Sequence, residues 1–323
     1  MTLTGWCKSA TVALAVTLAA PVQAQNWPSK PIHVIVPFTA GSTVDITART
    51  VFEQVSRQLG QPAVVESRLG AGGTVASAAV AKSEPDGHTV LFTSSAYTIT
   101  PLVQTNLTFD PVRDLAGVTP AATLPNVLVI APDRPFKTLP AMIAAAKANP
   151  NLLNYASVGP GSASHVMVEG LMLRAGFKAQ HVPFKGPAEA LNEIASGRVD
   201  FIIVPTLSAI SLMRAGKVLP VAAFSKQRAP ELPDVPTTVE LGFPDSTYNF
   251  WFGALAPRKT PVAIIDRLNG EIVKALGLPE VKDRITKLGG QPFTTTPAEF
   301  DALIKKELED NLVVVRAAGL KPN

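Results

Sequence analysis

Three short loops rich in glycine, serine and threonine each follow an apolar run that is typical of a buried strand. The loops read TAGSTVD after HVIVPF, TSSAYT after TVLF, and GPGSASH after LNYASV. They offer backbone N–H groups and small hydroxyls instead of charged side chains. A helix N-terminus has four unpaired N–H donors and a partial positive charge, so a small-residue loop in front of it accepts a carboxylate or a phosphate. The pattern therefore predicts an anion site built from main-chain groups.

The candidate ligand-binding residues of these loops fall into two sets, one for each half of a predicted cleft. The first set is Phe38, Gly41, Ser42, Thr43, Asp45, Thr93, Ser94 and Ser95, and the second is Ser157, Gly161, Ser162, Ser164 and His165. Simpler interpretations stay open, because Ser42 or Thr43, and Ser162, can be ordinary helix N-caps. Asp45 can act only by stabilising the N-terminus of its helix through the helix dipole. It can also hold its loop by accepting hydrogen bonds from backbone N–H groups, or accept a hydrogen bond from the ligand. We expect His165 to be a neutral ring that fills the cleft wall.

Two further glycine-containing loops add to the candidate site. RLGAGGTVAS, residues 68–77, lacks the Lys-Ser/Thr pair of a P-loop and does not fit GxGxxG, so nucleotide binding is not expected. We interpret it as a lid that brings Gly73 near the ligand, or as a plain strand-to-helix turn. FKGPAEAL contributes Phe184 and Gly186 at a predicted helix start.

The first 24 residues have the features of a secretory signal peptide. Lys8 supplies a positive charge, SATVALAVTLAA is an apolar run, and Val22-Gln23-Ala24 places small residues before a cleavage site. The apolar run is too short for a bilayer, which needs about 20 residues. Cys7 precedes that run, whereas a lipoprotein cysteine would follow it. We expect a periplasmic protein, cleaved near Ala24, with no membrane anchor.

Catalytic, metal and nucleic-acid chemistry have little support in the sequence. No GxSxG elbow is present, and none of the four histidines stands in HExxH or another metal-ligand spacing. The formal net charge of +4 is dispersed along the chain, which does not fit nucleic-acid binding. We therefore expect no enzyme activity, no metal and no cofactor. The alternative in the enzyme class is a periplasmic hydrolase that uses Ser162 or Ser164 with His165.

Short β-rich runs alternate with helical patterns along the chain, which predicts an α/β protein with largely parallel sheets. The strand candidates are IHVIVPF, AVVES, TVLFTSS, NVLVIAP, LNYASV, HVPF, DFIIV, LPVAAFS and FGALAP. Most of them are apolar on both faces, as strands covered on two sides should be. We expect a helix from about Ala163 to Ala175, and Trp251 in the core or at a hinge.

Two Pro-rich passages without clean periodicity, residues 117–127 and 226–250, divide the chain. A loop as long as the second usually crosses between units or carries function. We therefore assign residues 25–124 and 248–323 to a first lobe and residues 125–247 to a second. Two crossings between lobes make a hinge.

Seven segments spread over nearly the whole chain after residue 24 carry a family resemblance. They are WPSKPIHVIVPF, LGQPAVVESRLGAGG, AKSEPDGHTVLF, NYASVGPGSASH, HVPFKGPAEAL, RAPELPDVPTTVELG and WFGALAP. On these segments the chain resembles the Bug (TctC-like) family, the extracytoplasmic solute receptors of tripartite tricarboxylate transport systems. The resemblance implies a type II periplasmic binding protein whose two lobes close around a hinged cleft on a carboxylate ligand. It also implies delivery to integral-membrane permease subunits, and we expect the receptor to be a monomer.

Two segments depart from the pattern of that family. The first loop reads PFTAGSTVD, where the family usually has a glycine-rich loop such as PFPPGGGTD. Val204 and Pro205 end the strand DFIIV, where many relatives have Asp-Asn, and we assign both to the pocket wall. The loss of a carboxylate there predicts that the distal part of the ligand is apolar or aromatic. A ligand-sensing module for a signalling receptor is an alternative to transport.

Overall fold

The computed structural model describes residues 27–150, 152–229, 231–248 and 250–320, and the predicted signal peptide at residues 1–24 lies outside them. In chain order the strands are β1 (Ile32–Val36), β2 (Ala63–Ser67), β3 (Thr89–Ser94), β4 (Leu115–Leu124), β5 (Asn126–Ile130), β6 (Asn154–Ser157), β7 (Gln180–Pro183), β8 (Phe201–Pro205), β9 (Leu219–Ala223), β10 (Phe250–Pro257) and β11 (Gln291–Pro292). The helices are α1 (Thr43–Leu59), α2 (Thr74–Ala81), α3 (Leu139–Ala148), α4 (Ala163–Ala175), α5 (Pro187–Ala195), α6 (Thr206–Arg214), α7 (Val262–Gly277), α8 (Pro279–Lys287) and α9 (Pro297–Ala317). Within the described ranges, none of these helices is both long and apolar enough to span a bilayer.

The strands form two separate sheets, and each sheet with its helices makes one lobe. The first sheet has six strands in the order β11-β4-β10-β3-β1-β2, and the second has five in the order β7-β6-β8-β5-β9. The chain passes from the first sheet to the second between β4 and β5, and it returns between β9 and β10. The predicted α/β class with two lobes is therefore confirmed.

The strand pairing is more mixed than the expectation of largely parallel sheets. β1 runs parallel to β2 and β3, and β6 runs parallel to β7 and β8. β10 lies antiparallel to β3 and β4, and β5 lies antiparallel to β8 and β9. β5 and β10 each enter their sheet directly from the other lobe. They need no helical crossover from a neighbouring strand, so nothing holds them to parallel pairing.

The chain passes between the sheets within residues 117–127, as predicted, but residues 117–124 belong to strand β4 and are not a Pro-rich loop. Nine of its ten residues are buried, so the strand shows no alternation of polar and apolar positions. Pro120 lies opposite Gly253, next to a shift in the register of β4 and β10, where a missing N–H group is tolerated. The passage from the first sheet to the second is only Pro125.

Helix α1 follows β1 because its apolar residues recur on one face. Val44, Ala48, Val51 and Phe52 are all buried in the core of the first lobe, as their helical spacing predicts. The helix ends at Gly60, which adopts a left-handed conformation with φ 67°, as is usual after a helix. The start of α1 is thereby fixed at the edge of the first sheet.

The two passages between the lobes are tied to each other and covered by α9. The Asn126 side chain donates from Nδ2 to the carbonyl of Tyr248 at 3.0 Å. Val314 of α9 shares a buried apolar cluster with Ile99 of the first lobe and Val166 of the second. The C-terminal part of α9 therefore packs against both lobes.

Candidate functional site

The sheet topology gathers the predicted loops at one edge of each sheet. β1 and β3 are adjacent and parallel in the first sheet, and β6 lies between β7 and β8 and parallel to both in the second. The carboxyl ends of parallel strands meet at the same edge, where open α/β sheets bind ligands. The first sheet therefore presents the loops after β1 and β3, and the second presents the loops after β6, β7 and β8.

The two lobes meet beside these loops. A Cβ atom built on Gly161, in the loop after β6, would lie 3.2 Å from Cγ2 of Val103, in the 3₁₀ turn Thr100–Val103 that follows β3. Next to this contact, Ile99 of the first lobe and Val166 of α4 share one apolar cluster. The second-lobe loop is therefore packed against the segment that continues the first-lobe loop after β3.

The loop after β1 enters α1 through a compact hydrogen-bonded turn. Gly41 has φ +81°, a left-handed conformation that favours glycine. Ser42 is the N-cap of α1, and its hydroxyl accepts from Asp45 N at 3.3 Å. The N–H group of Ser42 donates to Thr39 O at 3.0 Å. The N-cap interpretation of Ser42 is therefore correct.

Asp45 holds this loop and does not face solvent. Its side chain is 2% exposed, Oδ2 accepts from Gly41 N at 2.9 Å, and the carboxylate forms two bonds of 3.0 Å with Arg49. Burial acts to raise the pKa of Asp45, but the bonds from Arg49 and Gly41 outweigh burial, and the pKa lies below its ordinary value. Of the three roles considered for Asp45, the structure shows that of holding the loop.

The loop after β6 repeats this arrangement in the second lobe. Gly161 has φ +73°, Ser162 is the N-cap of α4, and the Ser162 hydroxyl accepts from His165 N at 3.4 Å. The N–H group of Ser162 donates to Gly159 O at 3.2 Å. The N–H group of Gly161 donates to Nδ1 of His165 at 3.0 Å. The imidazole therefore takes the place that the Asp45 carboxylate has in the first loop.

Each loop leaves two main-chain N–H groups free at the start of its helix. Over the described ranges, the N–H groups of Thr43 and Val44 in α1, and those of Ala163 and Ser164 in α4, have no hydrogen-bond partner. The N–H groups on either side of each pair are bonded within their own loop. Free N–H groups in the first turn carry the positive end of the helix dipole. The two lobes thus have equivalent pairs of unbonded N–H donors, each at the start of a helix.

The His165 ring supports the second loop from the inside instead of facing a cleft. It is 4% exposed, stacks on His181 with ring centroids 3.9 Å apart, and places Nε2 3.7 Å from Oε1 of Glu169. His181 stacks on Tyr155 at 5.0 Å, and its Nε2 lies 2.6 Å from Oγ of Ser157. Burial, together with the neighbouring His165 ring, lowers the pKa of His181 to about 4. His181 is therefore a neutral part of this support at pH 7.

This geometry does not support a hydrolase built from Ser162 or Ser164 with His165. The Ser162 hydroxyl donates to Gly159 O at 2.7 Å, and the Ser164 hydroxyl accepts from Val158 N at 3.1 Å. Nδ1 of His165 already accepts a main-chain N–H group, and a general base must reach the hydroxyl that it deprotonates. Neither serine is therefore paired with the imidazole.

Four of the predicted side chains are buried beneath the loops. Thr93 is 3% exposed, and Ser94, Ser95 and Ser157 are each 0% exposed. The Ser94 hydroxyl accepts from Ala96 N at 3.3 Å and caps a 3₁₀ turn that follows β3. These side chains support the loops from below in this conformation.

Phe38, Phe184 and Gly186 lie nearer the surface of the sheet edges. Phe38 and Phe184 are half-buried, and each packs against the apolar core of its own lobe. Gly186 precedes α5, and a Cβ atom there would have open space around it. Gly73 is buried, and a Cβ atom there would lie 3.1 Å from Cβ of Pro37. Gly73 therefore belongs to a strand-to-helix turn that is packed against the loop after β1.

The structure places Val204 in the core of the second lobe instead of in a pocket wall. Its side chain is 1% exposed and packs in a cluster with Val127 and Ile202. Pro205 is half-buried and is the N-cap residue of α6. The apolar run DFIIV fits a pocket wall and a lobe core equally well, because β8 is apolar on both faces.

Several residues of the site were not among the predicted ones. Arg49 follows Asp45 by four residues, a spacing that brings opposite charges together on a helix, so the sequence contained a signal for this pair. Tyr155, Glu169 and His181 form the support beneath the second loop. His181 reaches Ser157 only because β6 and β7 pair side by side, and no local pattern shows that.

The sequence matches known proteins over most of its length. Residues 47–320 match the family described as "Tripartite tricarboxylate transporter family receptor". The "UPF0065 protein in tcbD-tcbE intergenic region" of Pseudomonas sp. is 36% identical over 302 residues, which cover 92% of this chain and 90% of that protein. Protein BugT of Bordetella pertussis is 34% identical over 309 residues, which cover 94% of each chain.

Two similar proteins were solved with small carboxylates. The R. palustris protein solved with adipate is 30% identical, with a TM-score of 0.74 over 92% of this chain and 100% of that one. MatC from Rhodopseudomonas palustris, with bound malate, is 31% identical, with a TM-score of 0.70 over 90% of this chain and 100% of that one. The resemblance inferred from the sequence is thus confirmed, and the chain belongs to the tripartite tricarboxylate transporter family receptors, the Bug (TctC-like) proteins.

Proposed function

We propose that the protein is a periplasmic receptor that captures a small organic carboxylate between its two lobes. The observation that carries this proposal is the matched pair of loops. Thr43 and Val44 offer free N–H groups from the first lobe, and Ala163 and Ser164 offer them from the second. Helix N-termini with free N–H groups favour a negatively charged ligand group. The relatives solved with adipate and malate support the same class of ligand.

We assign residues 25–124 and 248–323 to the first lobe and residues 125–247 to the second. A ligand that contacts both lobes favours their closed arrangement by its differential affinity for the two states. The loaded receptor then delivers its ligand to the integral-membrane subunits of a tripartite tricarboxylate-type transporter. The signal sequence at residues 1–24 supports export to the periplasm. Copurification of those membrane subunits with the loaded receptor tests the delivery step.

Thermal unfolding of the chain from residue 25 tests the proposed ligand class. We would compare malate, adipate, citrate and benzoate with adipamide, in which both carboxylates of adipate are replaced by uncharged amides. A ligand at 100 times its dissociation constant stabilises the folded state by about 2.7 kcal/mol. We expect at least one carboxylate to raise the melting temperature and adipamide to have no effect. No response to any carboxylate, or an equal response to adipamide, would contradict the proposal.

The same panel tests the proposal that the distal part of the ligand is apolar or aromatic. Val204 lies in the core, and Pro205, the half-buried residue that ends β8 next to it, carries no carboxylate, so an ammonium or a second hydrophilic group has no charged partner there. Benzoate should then stabilise the protein more than malate does. The opposite order would refute this refinement and leave the carboxylate receptor intact.

A further inference from the structure

A cavity of about 70 Å³ lies between the two lobes, and none of its lining residues belongs to the loops after β1 and β6. Glu307 and Asn311 of α9 line it from the first lobe, and Met167 of α4 and Phe224 line it from the second. Tyr248, in the passage that leads to β10, completes the wall. Any change in how the lobes meet therefore changes the surroundings of these side chains.

The Glu307 carboxyl group is held in this cavity by neutral donors. Nε1 of Trp251 lies 3.1 and 3.0 Å from its two oxygens, and Oγ1 of Thr98 lies 3.0 Å from Oε2. Trp251 is fully buried, as expected for a core or hinge residue. Throughout the described segments, no basic side chain forms an ion pair with Glu307. Glu307 is half-buried, and a carboxylate that is partly removed from water without a cation is costly, so this environment favours the neutral carboxylic acid.

The hydrogen bonds of Thr98 show how the proton on Glu307 affects the loop after β3. Oγ1 of Thr98 has one hydrogen but two acceptors in reach, Ser95 O at 2.8 Å and Glu307 Oε2 at 3.0 Å. Asn311 Nδ2 also donates to Oγ1 of Thr98 at 3.2 Å. When Glu307 is neutral, its own O–H donates to Thr98, and Thr98 donates to Ser95. When Glu307 is ionised, it takes the Thr98 hydrogen, and the Ser95 carbonyl loses the Thr98 hydroxyl as a donor.

Glu307 changes its charge near neutral pH. Burial raises its pKa to about 7, against the lowering effect of the Trp251 and Thr98 bonds, and the negative charge of Asp310 raises it further. Asp310 forms an ion pair with Lys306 at 2.7 Å on the same helix. The neutral and ionised states are therefore both populated around pH 7.

Charged groups reach the cavity from the other elements as well. Arg174 comes from α4, and Asp245 comes from the passage that leads to β10. Tyr248 lies in that passage, and its pKa is raised by burial and by the charge of Glu307, while the hydroxyls of Ser95 and Thr98 lower it. Glu307 and the residues around it, Trp251, Thr98 and Tyr248, form a cluster that is thus in contact with the second lobe, the passage that leads to β10 and the loop after β3.

Tyr248 connects this cluster to both passages between the lobes. Its carbonyl accepts from Asn126, the first residue of β5, at 3.0 Å, and its N–H group donates to Phe224 O at 3.1 Å. Phe224 N in turn donates to Asn126 O at 2.8 Å. A displacement of the Tyr248 main chain therefore acts on the segments about which the lobes would rotate.

We propose that Glu307 is a proton-operated switch that couples the passages between the lobes to the loop after β3. When Glu307 is neutral, the Thr98 hydroxyl donates to the Ser95 carbonyl, and the contact between the lobes seen here is stabilised. When Glu307 is ionised, the Thr98 hydroxyl donates to Glu307 instead, and water enters the cavity more readily. Both changes weaken the contact between α9, α4 and the passage that leads to β10. Acidification thus favours the present arrangement and alkaline pH favours its opening. The switch acts on the protein without ligand, so it can be tested whatever the ligand is.

Fluorescence of Trp251 reports directly on this switch, because its indole N–H group touches Glu307. In a Trp27→Phe background of the chain from residue 25, Trp251 is the one remaining tryptophan. We expect one transition of its emission near pH 7 in the absence of ligand. Amide exchange of residues 95–98 and 245–248, corrected for its intrinsic pH dependence, should accelerate above that transition. Glu307→Gln should abolish both effects.

Two matched variants make the test decisive. Glu309→Gln removes an exposed acid of the same helix and should leave the transition in place. Asp310→Asn keeps Glu307 and removes a neighbouring negative charge, so it should move the midpoint to lower pH even if Glu307→Gln does not fold. Emission that does not change with pH, a transition that survives Glu307→Gln, or an unmoved midpoint in Asp310→Asn would overturn the proposal. A transition of Trp251 without any change in exchange of the two segments would overturn it equally.

Discussion

Proline at position 43 or 163 removes one free N–H group from each proposed carboxylate site. Thr43 and Ala163 are the first residues of α1 and α4, where proline is favoured and its missing N–H group costs no helical hydrogen bond. The preceding residues Ser42 and Ser162 have ψ of 158° and 162°, which suits a residue before proline. We therefore expect Thr43→Pro and Ala163→Pro to fold with the stability of the parent protein.

The loss of binding can be estimated from the hydrogen bond that each proline deletes. A hydrogen bond to a charged group contributes about 1.5–3 kcal/mol, and each 1.4 kcal/mol changes an equilibrium constant tenfold. Each variant should therefore bind the carboxylate about 10- to 150-fold more weakly. Thr43→Ala keeps the N–H group and removes only the side chain, so it should bind like the parent protein.

Isothermal titration with malate or adipate measures these affinities, and melting temperatures without ligand show whether each variant is folded. We expect weak binding by both proline variants at unchanged stability. Two results would refute it. One is parent-like affinity in both proline variants, and the other is an equal loss in Thr43→Ala, which would assign the effect to the side chain.

Other substitutions test how the two loops are held. Gly41→Ala meets no atom within 4 Å at φ +81° and should cost about 1–2 kcal/mol of unfolding free energy from backbone strain alone. Gly161→Ala adds a contact of 3.2 Å with Val103 and should cost more in the same urea titration; equal costs would contradict the packing of the lobes. Asp45→Ala leaves the Gly41 N–H group without its acceptor and should lower the free energy of unfolding by about 1–3 kcal/mol. Because folding lowers the pKa of Asp45, this contribution is present above the ordinary pKa of the carboxyl group and is lost on acidification. The pKa of His181 falls from 6.5 to about 4 on folding, so the folded state binds fewer protons and its stability should decline as the pH drops from 6.5 towards 4. In His181→Gln, the urea unfolding midpoint should depend less on pH over this range. An unchanged pH dependence would assign the acid sensitivity to other groups.

The parts of the fold that depend on local pattern could be predicted from the sequence. Helix α4 has the predicted bounds, because Ser162 caps its start and Gly176 ends it in a left-handed conformation. The small-residue loops after β1 and β6 were recognised from their composition and from the helices that follow them. The Asp45 role of holding its loop was also among the possibilities, since the acid stands in the first turn of its helix.

The parts that depend on tertiary contacts could not be predicted. β4 has buried residues on both faces, so its Pro120 suggested a passage where the structure has a strand in the interior of its sheet. Val204 has the same apolar character whether it lines a wall or fills a core. Thr98 and Glu307 are 209 residues apart in the chain, and only the packing of α9 against the first sheet brings them together.

The most direct test of the account is a crystal structure of the protein with malate or adipate bound. It should show carboxylate oxygens within about 2.7–3.2 Å of the N–H groups of Thr43 or Val44 in the first lobe and of Ala163 or Ser164 in the second. A carboxylate bound elsewhere, with these four N–H groups bonded to water or to other parts of the protein, would contradict it.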